Sequence, residues 1–310
     1  MTFLDLTMPH NQLLKERLSP FIEAAQSPAT RRAYSHDLAS FRDFGGTIPA
    51  TPQIVADWLV QLSTRYRVAT ISRRLAALSR AHSLLNLPNP VPSELVQLTL
   101  KGVRRKLGVA QRQAKPLMRD DMIALLTVMG NSPRDVRDRA LLLVGFCGAF
   151  RRSELVALQV ADLRFVPEGV LIHIRKSKTD QEGQGRTIGI PKAREASRCA
   201  VQALAHLLNQ LGNPIDGPIF RPMTKGGASA CTPLSDRAVS NIIKERALAA
   251  GMKADDLSGH SLRAGLCTSA AEAGIPSHKI RETSGHKSDA MLARYIRDGN
   301  IWKDNAGGLF

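Results

Sequence analysis

Six polar side chains spread over the second half of this sequence, Arg151, Lys178, His260, Arg263, His286 and Tyr295, are of the types needed to attack a phosphodiester. Guanidinium groups present planar donor forks that match phosphate oxygens. Imidazole moves protons near neutrality, and a tyrosine hydroxyl is a nucleophile once its proton is taken. No Walker loop, acidic metal cluster or zinc-spaced His/Cys set accompanies them, so the inventory suits phosphoryl chemistry without metal or other cofactor. Taken singly, each residue also has a plainer reading. His260 and Arg263 in SGHSLRAG stand at i and i+3 near a helix start and share a face. His286 alone reads equally as a cap or a core histidine, and Lys178 as a solvated turn residue. Tyr295 shares a face with Met291 and Leu292, as a core tyrosine with a wet hydroxyl does.

The elements that must carry these groups belong to a basic, globular chain. Its 310 residues hold 43 Lys and Arg against 27 Asp and Glu, a formal charge of +16, with the excess present in both halves. Such a surface attracts a polyanion, and nucleic acid is the natural one. A hydrophobic content of 43% suffices for the cores of two ordinary domains. The four cysteines stand far apart and read as reduced, mostly buried thiols. Neither a secretory N-terminus nor a bilayer-length apolar run is evident, so the expectation is a cytoplasmic, nucleoid-associated protein with no membrane partner.

Caps and apolar periodicity predict a helical bundle over residues 1–107. One helix follows Ser27-Pro28 and carries Tyr34, Leu38 and Phe41; a second opens at Thr51-Pro52; a third begins near Thr70; a fourth follows Pro92-Ser93 through Leu95, Leu98 and Leu100. Arg73, Arg74, Arg104 and Arg105 on these helices are candidate DNA contacts, as are Lys244 and Arg246 later in the chain. Residues 108–116, polar, basic and closed by a proline, read as a linker to a domain over 117–310. That domain opens with helices over 119–129 and 136–150. Two strands at 170–174 and 186–190 then flank a polar hairpin tip, and helices follow over 192–211, 235–250, 261–273, 277–283 and 289–298. The expected class is mainly α with a small antiparallel sheet.

In order, RRSELVAL, a strand-turn-strand with KSKT, SGHSLR and SGHKSDAMLARYI resemble the tyrosine site-specific recombinases of the phage-integrase family, of the Cre and Xer type. The resemblance spans the whole chain and implies an N-terminal, SAM-like core-binding domain followed by a catalytic domain. It implies that Arg151, in R-x-S-E spacing with Glu154, is the first arginine, with Arg152 the neighbouring alternative. Glu154 would orient the guanidinium. Lys178, or Lys176 two residues before it, would be the hairpin lysine; His260 and Arg263 the HxxR pair; His286 the next donor; and Tyr295, nine residues on, the nucleophile. Phe150 and Cys147 depart from the common leucine and threonine at packing positions.

The same resemblance implies an enzyme that cleaves and rejoins DNA through a 3′-phosphotyrosine and a Holliday junction, without metal or ATP. Its partners would be double-stranded DNA with inverted-repeat sites and three further copies, the tail after Tyr295 docking on the next protomer. No arm-binding domain is expected before the first helix. Rival readings are a DNA-binding architectural protein, a type IB topoisomerase-like relaxing enzyme and a metal-dependent nuclease. Integration, excision, inversion and multimer resolution stay equally open.

Overall fold

The computed structural model describes residues 25–109, 114–175, 185–224 and 226–299, and the chain clusters into two compact units, Met1–Arg112 and Gln113–Phe310. It is mainly helical with one small antiparallel sheet.

In the first unit, α1 (Pro28–Asp43), α2 (Pro52–Ser63), α3 (Val68–Leu84) and α4 (Glu94–Leu107) enclose one core. Ser27 and Thr51 cap the first two helices by accepting the backbone N–H three residues on, and each helix has proline at its start. Phe41 and Trp58, both fully buried, meet edge to face with ring centroids 4.8 Å apart. Leu95 and Leu98 are corrections: both are exposed, and α4 instead buries Val96, Leu100 and Val103. The spacing of those three, four and three residues, follows the helical repeat and defines the inward stripe.

Arg74 is a second correction. The Asp37 carboxylate is fully buried and draws in two arginines. Arg73 donates through Nε and Nη2 to its two oxygens at 2.9 and 2.8 Å. Arg74 is only 3% exposed; its Nε lies 3.5 Å from Asp37 Oδ1, its Nη1 donates to Ser40 Oγ, and its guanidinium stacks 4.0 Å from the Tyr66 ring centroid. Arg74 holds the bundle together and has no face for a phosphate. Arg104 and Arg105 are exposed, as a phosphate contact requires.

The second unit begins with α5 (Arg119–Thr127), α6 (Pro133–Cys147) and α7 (Arg152–Ala157). A sheet of order β1 (Leu163–Val166), β2 (Gly169–Ile174) and β3 (Arg186–Pro191) follows, antiparallel throughout, with Ile172 opposite Leu163 on one side and Ile188 on the other. Then come α8 (Ala200–Gln210), α9 (Asp236–Ala249), α10 (His260–Glu272), α11 (Ser277–Ser284) and α12 (Asp289–Gly299). β1 goes beyond the two strands expected: no residue of it is fully buried, so the alternation that marks a half-buried strand is missing. The helix expected from residue 192 starts at Ala200, because Cys199 is extended and only a 3-10 turn, Ala196–Arg198, precedes it. The helix expected to reach residue 150 ends at Cys147, where Gly148 caps it and Ala149 takes a positive φ of 47°.

α6 and α10 form the centre of this unit. α6 buries Val136, Ala140, Leu141, Leu143 and Val144 against the sheet-side core. The residues leading into α5 lie against α10, Leu117 N–H donating to Ser261 O at 3.0 Å. A Cβ on Gly265 of α10 would sit 1.7 Å from Leu117 O, so only glycine allows this approach. Gly265→Ala is expected to destabilise the fold by about 3 kcal/mol, the upper end for overpacking; an unchanged denaturation midpoint would contradict the close packing. Cys199 and Cys267 are buried, Cys147 is half-buried and Cys231 is exposed. Among the described residues no helix is long and apolar enough to cross a membrane.

Candidate active site

The positive-φ turn at Ala149 and the buried Phe150 deliver the chain to Arg151, the extended cap residue of α7. Its backbone N–H donates to Glu154 Oε2 at 3.0 Å and its Nη1 to Glu154 Oε1 at 2.6 Å, so one carboxylate holds both ends of the residue. Glu154 is 3% exposed, and its charge is balanced inside the site. Arg152, one residue on, leads away: its Nη1 donates to Ser240 Oγ of α9 at 3.2 Å, and its methylenes cover Gly259. Arg151, and not Arg152, is the arginine paired with Glu154.

His260 is the first residue of α10 and Arg263 follows one turn later. Arg263, 2% exposed, donates through Nη1 to Ala149 O at 2.8 Å and also to Ser284 O. It thereby ties the turn before α7 to the end of α11. Its Nη2 is buried and has no hydrogen-bond partner among the described residues. A buried guanidinium nitrogen left in that state is costly unless a ligand oxygen meets it.

α11 ends at Gly285, which adopts a left-handed conformation with φ 67° and turns the chain so that His286 points back inward. His286 Nδ1 lies 2.8 Å from Ser284 Oγ. α12 then packs on α10 through Leu292, Cys267 and Ala271, and Tyr295 joins that cluster. Met291, expected on the inward face, is exposed. Tyr295 Oη is 2.8 Å from His260 Nε2, and the Tyr295 ring centroid is 5.7 Å from that of His286.

Positive charge exceeds negative here. Burial and then Arg151 hold the Arg263 guanidinium down to about 10. Burial, followed by Arg263, Arg151, His260 and Arg186, lowers His286 to about 4. His260, open to solvent on one side, is lowered by partial desolvation and by Arg263, Arg151 and Arg152. Both shifts favour the neutral imidazoles, and the uncompensated field favours an incoming anion.

Five of the six residues singled out for chemistry thus converge, together with Glu154, where the starts of α7 and α10, the turn after α11 and the middle of α12 meet. Lys178 and Lys176 lie outside the described residues, as does the tail from residue 300 onward. Two contributors carried no signal in the sequence. Arg186 reads there as an ordinary strand residue, and Ser284 as an ordinary helix-end serine. Arg246 is a correction: its Nε and Nη2 grip Asp138 Oδ2 at 2.9 and 2.6 Å, and its Nη1 lies 2.7 Å from Asp135. That fork is spent on α6, leaving half-buried Lys244 as the candidate contact on α9. Among the described residues no cluster of three or more His, Cys, Asp or Glu could hold a metal ion.

Residues 115–300 match the sequence pattern of the phage integrase family. The chain belongs to that family. This phage integrase family member is 36% identical over 315 aligned positions to the integrase/recombinase xerD homolog of Selenomonas ruminantium, covering 99% of this chain and 92% of that protein. It is 30% identical over 270 positions to the recombinase cre of Escherichia phage P1, covering 81% of this chain and 77% of the relative. In fold it is similar to a lambda integrase solved as a tetramer bound to a Holliday junction: TM-score 0.65, 18% identity, 97% of this chain and 81% of that one. It is a tyrosine recombinase, an enzyme of DNA cleavage and rejoining.

Proposed function

We propose that Tyr295 attacks a DNA phosphodiester at a specific site, leaving a 3′-phosphotyrosine, and that a second copy's cleaved strand is then exchanged through a Holliday junction. The observation that carries this reading is the 2.8 Å approach of Tyr295 Oη to His260 Nε2, together with a buried Arg263 Nη2 that has no hydrogen-bond partner among the described residues. The tyrosine hydroxyl has a pKa of about 10, so attack needs a base within hydrogen-bond reach. His260 accepts the proton as Oη bonds to phosphorus and the bond from phosphorus to the 5′-oxygen breaks. The electron pair leaves on that oxygen, which Lys178 protonates.

Negative charge developing on the non-bridging oxygens meets Arg151, Arg263 and the His286 ring. Glu154 holds Arg151 in place, and Ser284 holds His286. Forming one ester as another breaks keeps the bond energy available for rejoining, so neither ATP nor metal is called for. The basic surface, through Arg104, Arg105 and Lys244, positions the duplex by its phosphates. Four copies act on two inverted-repeat sites, with the C-terminal tail docking between protomers, in the cytoplasm; a tetramer on a Holliday junction is the state of the lambda integrase of similar fold.

The test begins by selecting bound duplexes from random DNA and placing two copies of the recovered site on one plasmid. Deletion or inversion between the copies, unaffected by EDTA, is expected. Relaxation of plasmids lacking the site would instead indicate a topoisomerase-like enzyme, and loss of all activity in EDTA a metal-dependent nuclease.

A further inference from the structure

Arg186 is the first residue of β3, opposite Ile174 in the register. Its side chain leaves the sheet for the far end of α11. Nη1 donates to Thr283 O at 2.8 Å and, more weakly, to Glu282 O at 3.4 Å; Nη2 lies 3.4 Å from Glu154 Oε2. The guanidinium rests on Gly285, where a Cβ would come within 2.7 Å of Arg186 Cζ. The last carbonyls of a helix have no partner within it and favour a cation. Here two arginines from different elements take consecutive carbonyls, Arg186 that of Thr283 and Arg263 that of Ser284.

The contacts close a ring. Arg263 bonds Ala149 O, two residues before Arg151; Arg151 bonds Glu154; Glu154 meets Arg186; Arg186 bonds Thr283 O, and the adjacent Ser284 O returns to Arg263. The ring encloses the Gly285 turn that aims His286. We infer that Arg186 is a positioning residue for DNA cleavage: it locks the Arg151–Glu154 pair and the His286 turn into one cradle without touching the phosphate. Both of its terminal nitrogens are already engaged by protein oxygens, so its effect reaches the reacting atoms through Arg151 and His286. This rests on the reading of Tyr295 as the nucleophile.

Arg186→Lys and Arg186→Gln separate the alternatives. Lysine keeps the charge but gathers its donors on one nitrogen and lacks the two separate nitrogens that reach Thr283 O and Glu154; glutamine keeps one donor for Thr283 O and loses the charge. Single-turnover formation of the covalent adduct on a nicked duplex carrying the selected site is expected to slow by roughly 10- to 100-fold in both, the scale of a misplaced catalytic group. DNA affinity, read by fluorescence anisotropy, and the melting transition should stay near wild type. The titration of His286, followed by NMR in variants that melt as the wild type does, reports whether its turn has moved. Its ring is faced by Arg263 and His260 of α10, Arg151 before α7 and Arg186 of β3, with Ser284 Oγ on Nδ1. A released turn exposes the ring and raises its pKa in both variants; a titration unmoved in Arg186→Lys, or in both, overturns the proposal.

Wild-type cleavage rates in both variants overturn the proposal, and so does a loss of cleavage matched by loss of melting or of DNA affinity, which would assign Arg186 to folding. A wild-type protein that forms no adduct overturns the reading of Tyr295 and this inference with it. An adduct formed equally by wild type and variants overturns only the role of Arg186.

Discussion

Tyr295→Phe is expected to abolish covalent capture of DNA while binding it as tightly as the wild-type protein. On a duplex nicked beside the cleavage point, the released fragment diffuses away and traps the wild-type adduct as a species stable to denaturant. The phenylalanine variant has no atom to form the ester, so adduct formation should fall by more than roughly 10⁴-fold, the scale of deleting a nucleophile. The cost to the fold is small. The hydrogen bond to His260 Nε2 is lost, worth about 1 kcal/mol net, and the ring keeps its place against the Leu292 cluster. An adduct that persists in Tyr295→Phe would move the nucleophile elsewhere. Equal mobility shifts with no adduct from either protein would leave a DNA-binding protein without the reaction.

Arg263→Met is expected to lower the cleavage rate by about 10²- to 10³-fold, the scale of removing a preorganised donor to a developing oxyanion. Its effect on stability is decided by two opposing terms. Methionine leaves Ala149 O and Ser284 O without their donor, at about 1–3 kcal/mol each. Against this, the folded protein holds Arg263 down to about 10 from 12.5, so burying its charge costs about 3 kcal/mol at neutral pH, and methionine removes that cost. The terms nearly cancel, and the loss of stability should stay below about 3 kcal/mol. Chemical denaturation measures it beside the cleavage rate. A variant that unfolds would show that Arg263 is chiefly a structural tie; one that cleaves normally would remove it from the phosphate cradle. The expected outcome, large in rate and small in stability, is that of a cation placed for a ligand and not for the fold.

The residues that converge on the candidate site were legible in the sequence because they stand in short, ordered motifs. RRSE, SGHSLR and the nine-residue step from His286 to Tyr295 each place residues within a few turns, where spacing alone says which side chains share a face. Some helix starts were legible too, since Ser27 and Thr51 cap as their types predict, whereas the helix expected from residue 136 starts at Pro133 behind Ser132 and the one expected from residue 192 at Ala200. Base-contact candidates fared worse. Arg74 and Arg246 look like any basic surface residue until Asp37, Asp138 and Asp135 are seen beside them. An ion pair between residues 108 positions apart leaves no local trace.

The sequence by itself determined the family, the mainly helical class and the residue types of the site, because these rest on local periodicity and on short motifs. Only the tertiary structure decided that Arg151 rather than Arg152 joins Glu154, since one backbone step at a helix cap sends the two side chains to different elements. It alone brought His260 to within 2.8 Å of Tyr295 and Arg186 onto the Gly285 turn. The last two are contacts between elements distant in the chain, set by how those elements pack and not by any preference of the residues themselves.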